Sequence, residues 1–132
     1  MSLDVWSARV SSRDPDRLDI TRKSGGPAGV IFAPSWRILR PALDRIRIAS
    51  QMDGPGREAM EADTWARYVP AYLAEMRASY KADRAAWDAL LARPRVVLAC
   101  YCTDPRRCHR TVLGRDILPR LGATWCGERV GE

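Results

Sequence analysis

Arg95-Val-Val-Leu-Ala-Cys100-Tyr-Cys-Thr-Asp104-Pro-Arg-Arg-Cys108-His-Arg110 changes character twice in a short span. Arg95 to Cys100 is a near-continuous apolar run, the pattern of a strand covered on both faces of its sheet. Asp104-Pro105 then sets a capping residue before a proline, which starts a helix. Val112, Leu113, Ile117, Leu118 and Leu121 extend that helix with one apolar face, Pro119 sits awkwardly near its end, and Gly122 suits its C-terminal cap. Strand, short loop and helix form the repeating unit of an α/β fold.

Working outward, Ala123 to Cys126 predicts a final short strand, and Asp4 to Val10 and Arg17 to Thr21 predict two more near the start. Residues 11–16 and the glycine-rich 23–29 read as loops, and Gly29 to Ala33 as a short strand or a buried loop. Pro34-Ser-Trp36-Arg37 opens a new element. Ile38, Leu39, Ala42, Leu43 and Ile46 follow at helical spacing, with Pro41 weakening the early part. Gly54-Pro-Gly56 predicts a loop over 51–58. Thr64 is the expected N-cap of a helix with Trp65, Tyr68, Val69, Tyr72, Leu73, Met76 and Tyr80 on one face, kinked or started late at Pro70. Asp83 can cap a further helix carrying Trp87, Leu90 and Leu91, ended by Arg93-Pro94. The whole of 1–132 is expected to form one three-layer α/β domain, a small, mostly parallel sheet flanked by helices, with no repeat or linker.

Composition narrows the function classes. At 132 residues and 46% hydrophobic content the chain has enough apolar surface for a core. No run approaches the roughly 18 apolar residues of a membrane span, and the start lacks the basic-then-apolar pattern of a signal peptide, so a cytoplasmic protein without a membrane partner is expected. The net charge is +6, carried almost wholly by arginine. Arginine favours bidentate contact with phosphate or carboxylate, so nucleic acid, nucleotides and acidic metabolites all suit the charge.

Within the central stretch, Arg106, Arg107 and Arg110 fall in or beside the first turns of the expected helix. Orphan N–H groups and the positive helix end there favour an anion. Asp104 offsets part of the charge, and a bound phosphate or carboxylate would offset the rest. Cys108 in such surroundings is expected to have a lowered pKa and to be a candidate nucleophile. His109, the only histidine in the chain, is the candidate acid–base. Each has a plainer alternative: packing for the cysteines, a loop hydrogen bond for His109, solvation for Arg106 and Arg107. Cys100, Cys102, Cys108 and His109 also form a C-x-C-x5-C-H set. That is not a usual zinc spacing, and the strand is expected to carry Cys100 away from the loop, so neither metal nor cofactor is assigned.

This motif resembles the family called domain of unknown function 488, especially its short bacterial and phage-borne members. The match runs without a gap through Cys100, Asp104, Pro105, Cys108, His109 and Arg110. Val5 to Arg9, Pro34-Ser-Trp36, and Tyr68 with Tyr72 are similar to earlier parts of those members. Cys102 departs from the family, where an acidic or other polar residue is usual. The resemblance implies an α/β fold with a site at the motif, and names no reaction.

The reading expected from these features is a site for a small anionic, phosphate-bearing or nucleotide-like ligand. Arg110 would hold the anion with Arg106 or Arg107, and Asp104 would orient the loop. Arg9, Arg22, Lys23 and Trp36 could reach the same mouth, Trp36 by stacking on a base. Two alternatives stay open: a nucleic-acid-binding accessory protein using the arginines of 37–47 and 106–120, and a protein-interaction module.

Overall fold

A computed structural model describes residues 2–129. Four strands, β1 (Asp4–Arg9), β2 (Arg17–Asp19), β3 (Arg95–Cys100) and β4 (Thr124–Glu128), form one sheet in the order β2-β3-β1-β4. Every pairing is parallel. All carboxyl ends therefore open on one edge. Val96 to Cys100 are buried without interruption, so β3 is covered on both faces as its apolar run predicts.

Helices supply the remaining layers: α1 (Gly26–Gly29), α2 (Trp36–Ala49), α3 (Gly54–Ala82), α4 (Arg84–Leu91) and α5 (His109–Thr111). Thr64, Tyr68, Tyr72 and Met76 form the buried stripe of α3. Trp87 of α4 is fully buried, edge-on to Phe32 and Tyr80. Among the described residues no helix is long and apolar enough to cross a membrane.

Several expectations are corrected. Gly29 to Ala33 is no strand: α1 passes into a 3-10 turn over Val30–Phe32. Thr64 is no N-cap, because α3 begins ten residues earlier, at Gly54. Proline is tolerated in a first turn, where its missing N–H has no partner to lose, so Gly54-Pro-Gly56 starts a helix instead of interrupting one. Thr64 instead lies inside α3, and its hydroxyl returns to the Met60 carbonyl. Pro70 is exposed and the helix continues through it. On α2 the inward residues are Ile38, Ala42 and Ala49, whereas Leu43 and Ile46 are about half exposed.

The helix expected from Asp104 is also divided. Pro105–Arg107 is a separate 3-10 turn, and Cys108 is fully extended before α5 begins at His109. Beyond α5 the chain widens into a π-type segment, Val112–Ile117, and then tightens into a 3-10 turn, Leu118–Leu121. Pro119 cannot donate to an α-helical ladder, which accounts for the irregular end. Gly122 closes it with φ 105°, the left-handed conformation expected of a C-cap glycine.

Candidate functional site

Three thiols meet where β3 ends. Cys100 is the last residue of the strand, Cys102 lies in the loop, and Cys108 is the extended residue before α5. The break at Cys108 points its side chain back at the strand end. The three sulfurs lie within 4.8 Å of one another, with Cys100 and Cys102 3.8 Å apart. The expectation that the strand would carry Cys100 away from the loop is therefore corrected: the chain turns as soon as β3 ends.

His109 faces two of these sulfurs. Its Nδ1 is 3.7 Å from the Cys100 sulfur and 4.0 Å from that of Cys108. Its Nε2 donates to the Ile20 carbonyl at 2.7 Å. A carbonyl only accepts, so in the neutral ring the proton is on Nε2 and the Nδ1 lone pair is aimed at the thiols. The Tyr72 ring meets the imidazole edge-on at 5.5 Å, and Tyr68 and Trp65 continue the aromatic row.

Arg110 is wholly buried. Nη1 donates to the Cys102 carbonyl at 2.9 Å and to the Cys108 sulfur at 3.2 Å. Nε and Nη2 fork onto Glu128 at 3.0 and 2.9 Å, and Ser7 donates to the same carboxylate. Burial works against the charge of Arg110, but the bond to Glu128 and the attraction of Cys108, Glu128 and Cys100 together outweigh it and hold its pKa above the usual range. The guanidinium braces the loop from below and does not face solvent.

Proton affinities within the cluster differ. Burial, and then contact with Cys100, pushes the Cys108 thiol up, opposite to the expected lowering. The bond from Cys102, and then that from Cys108, lowers Cys100. Cys102 is pushed up to about 12, chiefly by Cys100. Cys108 and His109 are 1% and 5% exposed, so neither is placed to attack a ligand from the surface.

The other expected residues make their contacts outside this cluster. Asp104 caps the 3-10 turn by accepting from the Arg106 backbone N–H, and pairs with the Arg106 side chain. Arg107 crosses to Glu58 and Glu61 of α3. Arg22 clamps the Ala33 and Pro34 carbonyls. Trp36 heads α2 beneath the guanidinium of Arg40, 5.5 Å from the ring centre. Arg9 is exposed at the end of β1, in register with Cys100. Half-exposed Tyr101 bonds to Ser24, which with Thr21 is tied to Asp19 at the end of β2. A separate concavity of about 280 Å³ between α2 and α3 is lined by Arg37, Arg45, Arg67 and Tyr68. Its arginines are paired with Glu75 and Asp63.

Sequence reasoning missed Ser7, Glu128 and the Ile20 carbonyl. Glu128 reaches Arg110 because β4 pairs with β1 and sets Ser7 opposite Glu128. The one available signal was an acid closely following the last predicted strand.

The family model described as the active DUF488-N3 subclade (DUF488-N3a) matches residues 32–121, well over half the chain. No curated protein and no solved structure matches.

Proposed function

Because the chain belongs to the DUF488 family, in its active DUF488-N3 subclade, we propose that it binds a small phosphate-bearing, nucleotide-like ligand over the carboxyl edge of the sheet. One arrangement carries this reading: Arg9 stands in register with Cys100, directly beside the thiol–imidazole cluster and half-exposed Tyr101. Ligands of open α/β sheets sit outside strand carboxyl ends. The phosphate would meet Arg9 and Lys23, both exposed, while Tyr101 and the partly exposed Cys102 contact the rest. Cys108, His109 and Arg110 form the floor. Asp104, Arg106 and Arg107 order the loop above it. The free thiols suit a reducing, cytoplasmic setting.

Calorimetric titration with inorganic phosphate and a panel of nucleoside mono-, di- and triphosphates tests the reading. Saturable binding that Arg9→Ala weakens at least tenfold supports it. Absence of binding across the panel, or affinity indifferent to Arg9→Ala, overturns it.

A second reading, a protein-docking face, is favoured by one observation. Trp36, Leu43 and Ile46 lie along one side of α2 and are each roughly half exposed. Self-association that Leu43→Glu abolishes, measured by sedimentation, would support it.

A further inference from the structure

We propose that Cys100, Cys102, Cys108 and His109 together hold one zinc ion in a closed Cys3His site. The inference does not depend on the phosphate reading, because the four ligands would hold the ion whether or not a phosphate meets Arg9 and Lys23.

Distance is the first support. Four ligands at about 2.0–2.3 Å from a tetrahedral zinc lie roughly 3.4–3.8 Å from one another. The Cys100–Cys102 sulfur separation is 3.8 Å, and Nδ1 of His109 is 3.7 and 4.0 Å from the sulfurs of Cys100 and Cys108. All three sulfurs fall within 4.8 Å of one another, and His109 reaches this trio through Cys100 and Cys108, so closing the fourfold set requires Cys102, which lies in the loop, to draw in toward the imidazole.

The surroundings of the ligands are the second. A metal-bound histidine typically donates its other ring nitrogen to a carbonyl or carboxylate, which fixes the ring and its tautomer. His109 does this through Nε2 and the Ile20 carbonyl. Ile20 is itself held by its N–H to the Ala99 carbonyl of β3. Arg110 places an N–H 3.2 Å from the Cys108 sulfur, where it would stabilise a metal-bound thiolate and offset part of the negative charge of three such ligands.

Ligand chemistry selects the ion. Three soft thiolates and an imidazole in tetrahedral array suit zinc, and four protein ligands leave no open position, as in a structural site. On binding, each thiol releases its proton to solvent, the imidazole binds through its existing lone pair, and no electrons are transferred. The usual spacing rule fails here because it describes knuckles formed by one turn. In this chain a strand end, a loop residue and a helix start supply the ligands.

The test uses untagged, full-length protein reconstituted with zinc under reducing conditions, then with cobalt. Expected are about one zinc per chain by elemental analysis, thiolate-to-cobalt charge-transfer absorption, and slow thiol modification of every cysteine except exposed Cys126. Cys102→Ser should lose the charge-transfer band or bind zinc at least tenfold more weakly, while Cys126→Ser retains both. Zinc far below one per chain after reconstitution, a cobalt spectrum lacking thiolate bands, or loss caused by Cys126→Ser as readily as by Cys102→Ser would overturn the assignment. The wild-type measurements decide the matter even if Cys102→Ser fails to fold.

Discussion

Arg110 donates one N–H to the sulfur of Cys108 at 3.2 Å while two others grip Glu128, so a single buried guanidinium ties the cysteine loop to the last strand of the sheet. Breaking such a pair by removing one partner commonly costs about 3–5 kcal/mol, because the remaining charge is left unpaired. Glu128 is only partly buried, so Arg110→Ala should fall near the lower figure in urea unfolding. A variant as stable as wild type would show that the pair contributes little. This also changes the role expected for Arg110 from the sequence: loss of ligand binding on its removal would reflect a disordered loop, and Arg9 is the residue whose removal tests contact.

Tyr68 gives a pH prediction. Burial, and then the neighbouring Tyr72, raises its phenol far above the ordinary 10.0. The folded protein keeps this proton after the unfolded chain begins to lose it. Its contribution is therefore complete below pH 10.0 and declines as pH rises above that value. Stability above about pH 10 should fall more steeply in wild type than in Tyr68→Phe. Equal slopes would mean that the ring is solvated.

Gly29 is required by close approach. A Cβ there would lie 1.7 Å from the Asp19 carbonyl oxygen. Because that atom is backbone, α1 would have to move away from the end of β2. Gly29→Ala should destabilise by about 1–3 kcal/mol, as overpacked sites do, and should loosen the Ile20 segment that anchors His109. Unchanged thermal unfolding would contradict this packing.

Removal of zinc from the Cys3His site should cost stability. At free zinc about a hundredfold above Kd, binding contributes about 2.7 kcal/mol. A chelator should therefore lower Tm, and amide exchange should quicken across 100–109. A chelator without effect on zinc-loaded protein would contradict a structural role.

Much of this was legible in the chain. The apolar run of β3, the helical stripe of Tyr68, Tyr72 and Met76, and Gly122 as a cap each follow from local pattern, and the motif located the site. What failed was non-local. Leu43 and Ile46 carry the spacing of core residues, but no layer packs over that side of α2 among the described residues. Thr64 has the chemistry of a cap, yet Pro55 starts the helix earlier. The charge on Arg110 suggested an anion from outside, whereas strand pairing between Ser7 and Glu128 supplies the carboxylate from within. The metal ligands were all visible, but their meeting depends on a turn after Cys100 and a break at Cys108 that spacing does not encode.

The most direct test of the cluster is the tautomer of His109, read from its ring nitrogens by long-range proton–nitrogen NMR. As the chain's only histidine it gives an unambiguous signal. The expected result is a ring protonated at Nε2 with the lone pair on Nδ1, and an Nδ1 resonance that shifts when zinc is added. A ring protonated on Nδ1, or one whose signals ignore zinc, would contradict the convergence of His109 and the three thiols on one centre.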